Sequence, residues 1–440
     1  MNDSREVRWL RNELPLLVEK EVISPETSSR LAAYYESQDE KQGHTIFFLV
    51  SAILGSLLIG GGIIMLFAHN WDDLSRSQRT FLSFTPLIIA QCIFGYAFFK
   101  KRDSVAWTEG SAAFLFLMIA STIALISQTY NLGGQLDHFV LTWMLLGIPL
   151  IYLVNSSLIT ILYMAGIAWW AMLSDVVYES NAAAFYWVLL AAVIPHLIAN
   201  IKSGKPQVRS NLLGWVFALS LLTSINWAMP ASGTWYEYML RSTLYAVLYM
   251  AGRAIYPNGT TIWARPFQTT ALAALSVSLL TRTYNWSVFS RHSWRYEQGE
   301  AQPWVLQVAS VILCLLFVAA FVYLLYRHRK NKTALNYYVV VYPVLALTGT
   351  LLYQIKLGEV STILFNLYVL ALGIHYLRCG IRMNILSLVN AGMFLLSALI
   401  VERFFDSNLD FIIKGLAFIL VGSGFLIVNF TLVRKMKKHG

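Results

Sequence analysis

Long apolar stretches recur along this chain at lengths of about 17–23 residues, separated by short polar turns. An α-helix rising about 1.5 Å per residue needs that length to cross a hydrocarbon core of about 30 Å. In lipid every backbone N–H and C=O must find its partner inside the protein, so only helices and closed barrels span. Barrel strands would read as segments of about ten residues with alternating polarity, and the chain shows no such pattern. The fold class expected is therefore all-α: a polytopic transmembrane bundle of about 14 helices. The spans run at roughly 46–68, 79–99, 107–127, 138–154, 157–173, 182–199, 209–228, 238–255, 266–283, 304–326, 335–353, 359–378, 383–401 and 409–431. Of the 440 residues 57% are hydrophobic and only 13% charged, against about half and a quarter in a soluble domain.

Three regions follow: a small cytosolic helical module at 1–45, the transmembrane bundle at 46–431 and a basic tail at 432–440. In the module, "REVRWLRNELPLLVEKEV" reads as one helical stretch, bent or restarted at Pro15, and "ISPETSSRLAAYYESQDEKQ" as a second. Ser24 has the chemistry of an N-cap, and Pro25 falls at the first helical position. Acidic residues outnumber basic ones here, and two short helices bury little alone, so residues 1–45 are expected to dock a protein partner or the membrane domain. The first 45 residues are polar and contain no signal-peptide h-region, so the first span is expected to act as its own insertion signal.

Charge sets the orientation. With the N-terminus inside, roughly three-quarters of the 33 lysines and arginines fall on the cytoplasmic side, as the positive-inside rule requires. An even number of spans puts both termini in the cytoplasm. The net charge of +10 is thus mainly a signature of topology, and no nucleic-acid partner is called for. Cys92, Cys314 and Cys379 show no CxxC or Cys/His spacing, so neither a metal nor a disulfide framework is expected. No cofactor motif is present, and GxSxG, HExxH and P-loop signatures are absent.

On this orientation "AHNWDD" ends the first span at the outer face. Asn226-Trp227 and Asn285-Trp286 repeat the pair at two other outer helix ends. Asn terminates helices and Trp favours the interface, which accounts for the second and third pairs. His69, Asp72 and Asp73 add more polar chemistry to the first than a cap needs. Asn70, Trp71 and Asp72 are therefore candidate substrate-binding residues. With them go Gln128 and Tyr130 of "SQTYNLGGQLD" and Glu402 and Arg403 of "ERFFDSNLDFIIK", which lie in turns on the same face. The structural alternative is that Glu402, Arg403 and Asp406 form an ion-pair network locking two helix ends. The loop from Arg282 to Glu300 mixes basic and aromatic residues, which suits an anionic lipid headgroup or a sugar as well as an ordinary interfacial loop.

Ionisable residues inside the spans sit near the ends: Glu109, His196 and His375 toward the cytosol, Arg241, Arg282 and Lys414 toward the outside. The middle offers mainly Gln91, Asn366, Asn390, hydroxyls and glycines. A proton- or sodium-coupled carrier would carry a midplane acid, and none is evident. "GSLLIGGGI" in the first span and "GLAFILVGSGF" in the last offer small residues for close helix packing. Pro86, Pro149, Pro195 and Pro343 lie inside spans and are expected to kink them.

The segments "LLVEKEVISPETSSRLAAYY", "GGGIIMLFAHNWDDLSRSQR" and "ISQTYNLGG", followed by a Trp-bearing helix, resemble the DUF2157 family of bacterial predicted membrane proteins. The resemblance covers about residues 10–157. It implies a multi-pass protein of a bacterial inner membrane and carries no activity, substrate or catalytic residue with it. Three functions fit these observations. The first is transport or flipping of an envelope lipid or other amphiphile, with membrane lipids, a headgroup or a lipid-linked sugar as partner. The second is a non-catalytic assembly or sensor component that docks a partner through residues 1–45. The third is a membrane-embedded transferase on a lipid-linked substrate, with Asp72 or Asp73 as base and Arg403 or Arg295 on the phosphate.

Overall fold

The structure, a computed structural model, describes residues 13–31, 74–178, 180–202, 207–229, 235–256, 261–283, 304–333, 335–383 and 386–406, with isolated positions between 412 and 426. Every element is helical, and no strand occurs among the described residues. Eight helical segments there are long and apolar enough to cross a membrane. The chain divides into two compact units, 1–82 and 83–440.

In the first unit, α1 (13–19) and α2 (25–31) are joined by a turn in which Glu21 takes a left-handed φ of 57°. Ser24 caps α2: its Oγ accepts the Thr27 N–H at 3.2 Å, and Pro25 is the first helical residue. Pro15 lies within the first turn of α1, where its missing N–H costs nothing. The next helix, α3 (Arg76–Lys100), starts with a reciprocal cap. Ser75 N donates to Gln78 Oε1 at 2.9 Å, and Gln78 N donates back to Ser75 Oγ at 3.4 Å.

The second unit continues with α4 (Val105–Tyr130), α5 (Leu136–Leu153), α6 (Ser157–Met172), α7 (Tyr186–Ala191), α8 (Ile194–Lys202), α9 (Gln207–Ser224), α10 (Trp235–Ile255), α11 (Pro266–Thr283), α12 (Trp304–Lys330), α13 (Tyr337–Gln354), α14 (Gly358–Met383) and α15 (Leu386–Asp406). All the expected spans from 79–99 to 383–401 are helical within a few residues; the expected spans 46–68 and 409–431 lie outside the described residues or reach them only at isolated positions. Short connections are possible because Asn131, Asn155, Lys332 and Lys356 adopt left-handed φ values of 47–64° and end their helices in one residue.

Span 182–199 differs from expectation. It is a 3₁₀ turn (Asn181–Phe185), then α7, then a break at Ala192–Val193 before α8, with Pro195 the second residue of α8. Proline lacks an N–H and clashes with the carbonyl four residues back, so the helix restarts. Carbonyls near the break are recovered by tyrosines: Tyr163 donates to Leu189 O at 3.1 Å, and Tyr152 donates to Ala192 O. Pro86, Pro149 and Pro343 sit inside continuous helices.

α6 is the centre of the bundle, with Tyr163, Ile167 and Trp170 buried, whereas α12 turns Val308, Ile312, Leu315 and Leu316 outward to lipid. Close approach is made by single glycines: Gly147 under the Phe116 ring, Gly166 under Met144, and Gly392 against the Gly373 carbonyl, which brings α14 and α15 together. Most of the first and last spans, where close packing through small residues is expected, lies outside the described residues; among the described residues nothing stands within 4 Å of a Cβ added at Gly415 or Gly422.

Candidate functional site

Side-chain bonds sort the helix ends into two faces. One carries the basic turns, with Lys100, Lys101 and Arg102, Arg209, Arg253 and Arg265, and Arg327, Arg329 and Lys330. There Glu109, near the start of α4, caps the start of α6. Its carboxylate accepts Ser157 N at 3.0 Å and Leu158 N at 3.1 Å, and it also bonds the Ser156 hydroxyl. Arg209 of α9 donates Nη2 to Oε1 at 2.9 Å. Negative charge belongs at a helix N-terminus, so this network is a structural lock across three helices. Nearby, His328 bonds Met250 O at 2.9 Å and Thr333 Oγ1 at 2.6 Å, tying α12 to α10.

The opposite face gathers a different cluster from α10, α11, α14 and α15. These helices owe it to their polar content: α10 and α11 are less apolar than their neighbours and carry Glu237, Arg241 and Arg282 at this end. Glu237, one turn into α10, is 6% exposed and forms an ion pair with Arg241, four residues on and on the same side of the helix. Arg282 ends α11. Its guanidinium carbon lies 4.6 Å from the centre of the Tyr238 ring and 5.3 Å from that of Phe365, so two aromatic faces, from α10 and α14, hold it. Beside it Thr283, fully buried, donates to Glu402 Oε2 at 2.6 Å. Asn366 Nδ2 bonds Thr283 O at 3.1 Å and Thr362 O at 2.7 Å, which recovers a carbonyl at the end of α11. Deeper, Ser278 bonds the Tyr342 hydroxyl at 2.6 Å, and Tyr342 stacks on Tyr245. Phe365 keeps its place because Gly349 of α13 leaves room for the ring.

A second polar point on this face is Asp137, 2% exposed in the first turn of α5. It accepts His138 N at 2.8 Å and the Ser174 hydroxyl at 3.3 Å. Ser174 belongs to a π-helical turn, Leu173–Val177, that ends α6, and Tyr178 just beyond accepts Leu136 N at 2.8 Å. The helix N-terminus stabilises the buried carboxylate, so the arrangement clamps α5 to the end of α6.

Of the residues singled out from sequence, Asn70, Trp71, Asp72 and the side chain of Arg403 lie outside the described residues. Gln128 and Tyr130 are exposed at the end of α4, flanking the buried Thr129, and the helix is closed by Asn131, whose N–H reaches the carbonyls of Ser127 and Gln128. Glu402 joins the α11–α14–α15 cluster through Thr283. The two groups sit on separate helix ends. Tyr238, Thr283 and Phe365 were not singled out, and Arg241 and Arg282 were read only as ionisable residues near outer span ends; the Glu237/Arg241 spacing was the available signal. Among the described residues no group of three or more His, Cys, Asp or Glu side chains is placed to hold a metal ion.

Residues 15–160 match the model of a family described as a predicted membrane protein, DUF2157. The match spans a third of the chain and ends at the start of α6, so it does not reach the cluster on α10, α11, α14 and α15. No curated protein and no solved structure matches the chain.

Proposed function

We propose that this multi-pass membrane protein transports or flips an envelope lipid or another amphiphile, and that the polar end of the cargo enters at the face opposite the basic turns. The observation that carries the reading is the charge-bearing cluster Glu237, Arg241, Arg282 and Glu402, gathered from three helices at one end of the bundle. Charged side chains at membrane depth are costly and concentrate at substrate paths. A cluster at the end of the spans, with lipid-facing helices beside it, suits a cargo that keeps its head in the interface and its tail in the bilayer. On the positive-inside orientation this face is the outer one, and the membrane is a bacterial inner membrane with both termini cytoplasmic.

The test is reconstitution of the full chain into vesicles with fluorescent phospholipids, following the loss of outer-leaflet signal on quenching. Faster exchange than in empty vesicles, lost in Arg282→Ala, supports the reading; no exchange with any lipid tried sinks it. A second reading, an assembly or sensor component docking a protein through residues 1–45, draws on the internal pairing of Glu237 with Arg241 and of Thr283 with Glu402, which serves a rigid bundle equally well.

A further inference from the structure

We infer that the groove between α3 and α4, beside the basic turn that joins them, binds an anionic phospholipid of the leaflet on that side; the inference does not draw on the cargo path at the opposite face. The two helices meet at two points. Thr122 of α4 donates to Ser83 O of α3 at 3.1 Å, and Tyr96 meets Trp107 edge to face with ring centres 5.9 Å apart. That antiparallel register sets Gly110 across from Ile93, and Gly110 brings no side chain to fill the space. A Cβ added there would meet nothing within 4 Å among the described residues. The result is an open groove of about 420 Å³ lined by Ile93, Ala106, Trp107, Gly110, Ser111 and Phe114, within the range of about 300–1,000 Å³ usual for small-ligand sites. Its one hydroxyl, on Ser111, donates to Thr108 O at 3.4 Å, so the groove suits an apolar occupant. Trp107 remains 46% exposed.

Charge points to the ligand class. The joining turn carries Lys100, Lys101, Arg102 and Asp103, all exposed, so three cations face one carboxylate. None of the four forms an ion pair among the described residues; Arg102 lies over the Phe98 ring at 5.1 Å. The turn is fixed, with Ser104 N bonded to Lys101 O at 3.0 Å. Glu109, the first carboxylate along α4, is committed to Arg209 and to the start of α6. Lys100 stands about 6 Å along the helix axis from Tyr96, the ring against Trp107, so the cations sit just beyond the end of the groove. A basic turn alone marks only topology. Here an apolar groove lies on its membrane side, in the order tail then head of a phospholipid. Each lysine or arginine near the surface strengthens the attraction to an anionic headgroup. A neutral apolar molecule would fill the groove and leave the cations unanswered, and a zwitterionic lipid brings them no net charge.

The full chain in mild detergent is titrated with dioleoyl phosphatidylglycerol and with dioleoyl phosphatidylcholine, which has the same tails and no net charge, reading the first bound lipid by native mass spectrometry. Phosphatidylglycerol is expected to bind about tenfold more tightly. Changing Lys100, Lys101 and Arg102 together to Gln should bring the two lipids level. Changing Arg327, Arg329 and Lys330 to Gln, three exposed cations of another turn on the same face, should leave the preference intact. Gly110→Leu, which places a side chain in the groove, should weaken phosphatidylglycerol several-fold at an unchanged thermal midpoint. If that variant does not fold, phosphatidylglycerol with brominated tails should quench the wild-type tryptophan fluorescence more than that of Trp107→Phe. Equal losses in the two triple variants would make the preference a property of the whole basic face and overturn the site. Full binding in a folded Gly110→Leu, or equal quenching with and without Trp107, would overturn it as well, and a dimer lost in Gly110→Leu while lipid binding persists would assign the groove to a second copy of the chain instead.

Discussion

Gly349 is the position from which the cluster can be disturbed without touching a charge. A Cβ there would stand 2.8 Å from Phe365 Cζ, closer still to Cε2, and 3.0 Å from Ser361 Oγ. Phe365 is 1% exposed, so its ring has no free volume to enter, and Gly349→Ala must move the ring or part α13 from α14. Overpacking of that kind costs about 1–3 kcal/mol. The Ser361 hydroxyl, bonded to Gly349 O at 3.0 Å, is in the way, and losing that bond adds about 1 kcal/mol. Moving Phe365 off Arg282 removes one of two cation–π contacts, about another 1 kcal/mol. The expected total is about 3–5 kcal/mol of unfolding free energy, read from denaturant titration in mixed micelles with tryptophan fluorescence. Phe365→Leu in the same chain should recover at least about 1 kcal/mol of it, a coupling that only neighbours show. If Gly349→Ala stays within about 0.5 kcal/mol of wild type, or adds to Phe365→Leu without coupling, then Gly349 does not position Phe365 and the account of how Arg282 is held is wrong.

Other consequences can be measured on the same preparations. Glu109→Ala removes the acceptor of two backbone N–H groups and the partner of Arg209 at once; with Glu109 15% and Arg209 29% exposed, the loss should be about 2–4 kcal/mol rather than the near-zero of a surface pair. A thermal midpoint unchanged in this variant would mean that the lock contributes nothing. Tyr163→Phe leaves the Leu189 carbonyl without its 3.1 Å donor beside the α7–α8 break and should cost about 1–2 kcal/mol, with no effect on lipid retention; a variant as stable as wild type would show the carbonyl satisfied by other means. Asp72→Ala and Arg403→Ala should abolish lipid exchange while leaving protein abundance, judged by immunoblot, at the wild-type level. Loss of abundance instead would assign both residues to ion pairs that hold helix ends.

The all-helical fold and the boundaries of the described spans were legible in the sequence because lipid permits so little else: a run of apolar residues of the right length is a helix whatever its neighbours are. The caps were legible for the same local reason. Ser24 with Pro25 carries its instruction within a few residues; Ser75 with Gln78 does so too, but was not singled out. The Asn131 end of α4 shows why "QTY" looked like more than a turn. Gln128 and Tyr130 face outward while Thr129 between them is buried and bonded to Leu125 O, so a functional pair and a simple helix end share one pattern. The broken helix at Pro195 was read as a kink because sequence gives the missing N–H but not the tyrosines of α5 and α6 that make a full break affordable.

The cluster around Arg282 was hidden for a more basic reason. An arginine at the end of a hydrophobic span has two cheap fates, reaching along its stem into the headgroups or pairing with a carboxylate four residues away. Arg241 takes the second with Glu237, and its spacing announces it. Among the described residues Arg282 takes neither: its partners there are the rings of Tyr238 and Phe365, contributed by two other helices and indistinguishable in sequence from the aromatic residues that line every membrane interface. What fixes them is Gly349 on yet another helix. A guanidinium against two rings is held in place by them, although aromatic faces supply no acceptors for its N–H groups. Polar and charged groups from α10, α11, α14 and α15 meet at this end, which is why the α10–α11 end, more than the helix-closing turn at Gln128 and Tyr130, is where a ligand should be sought.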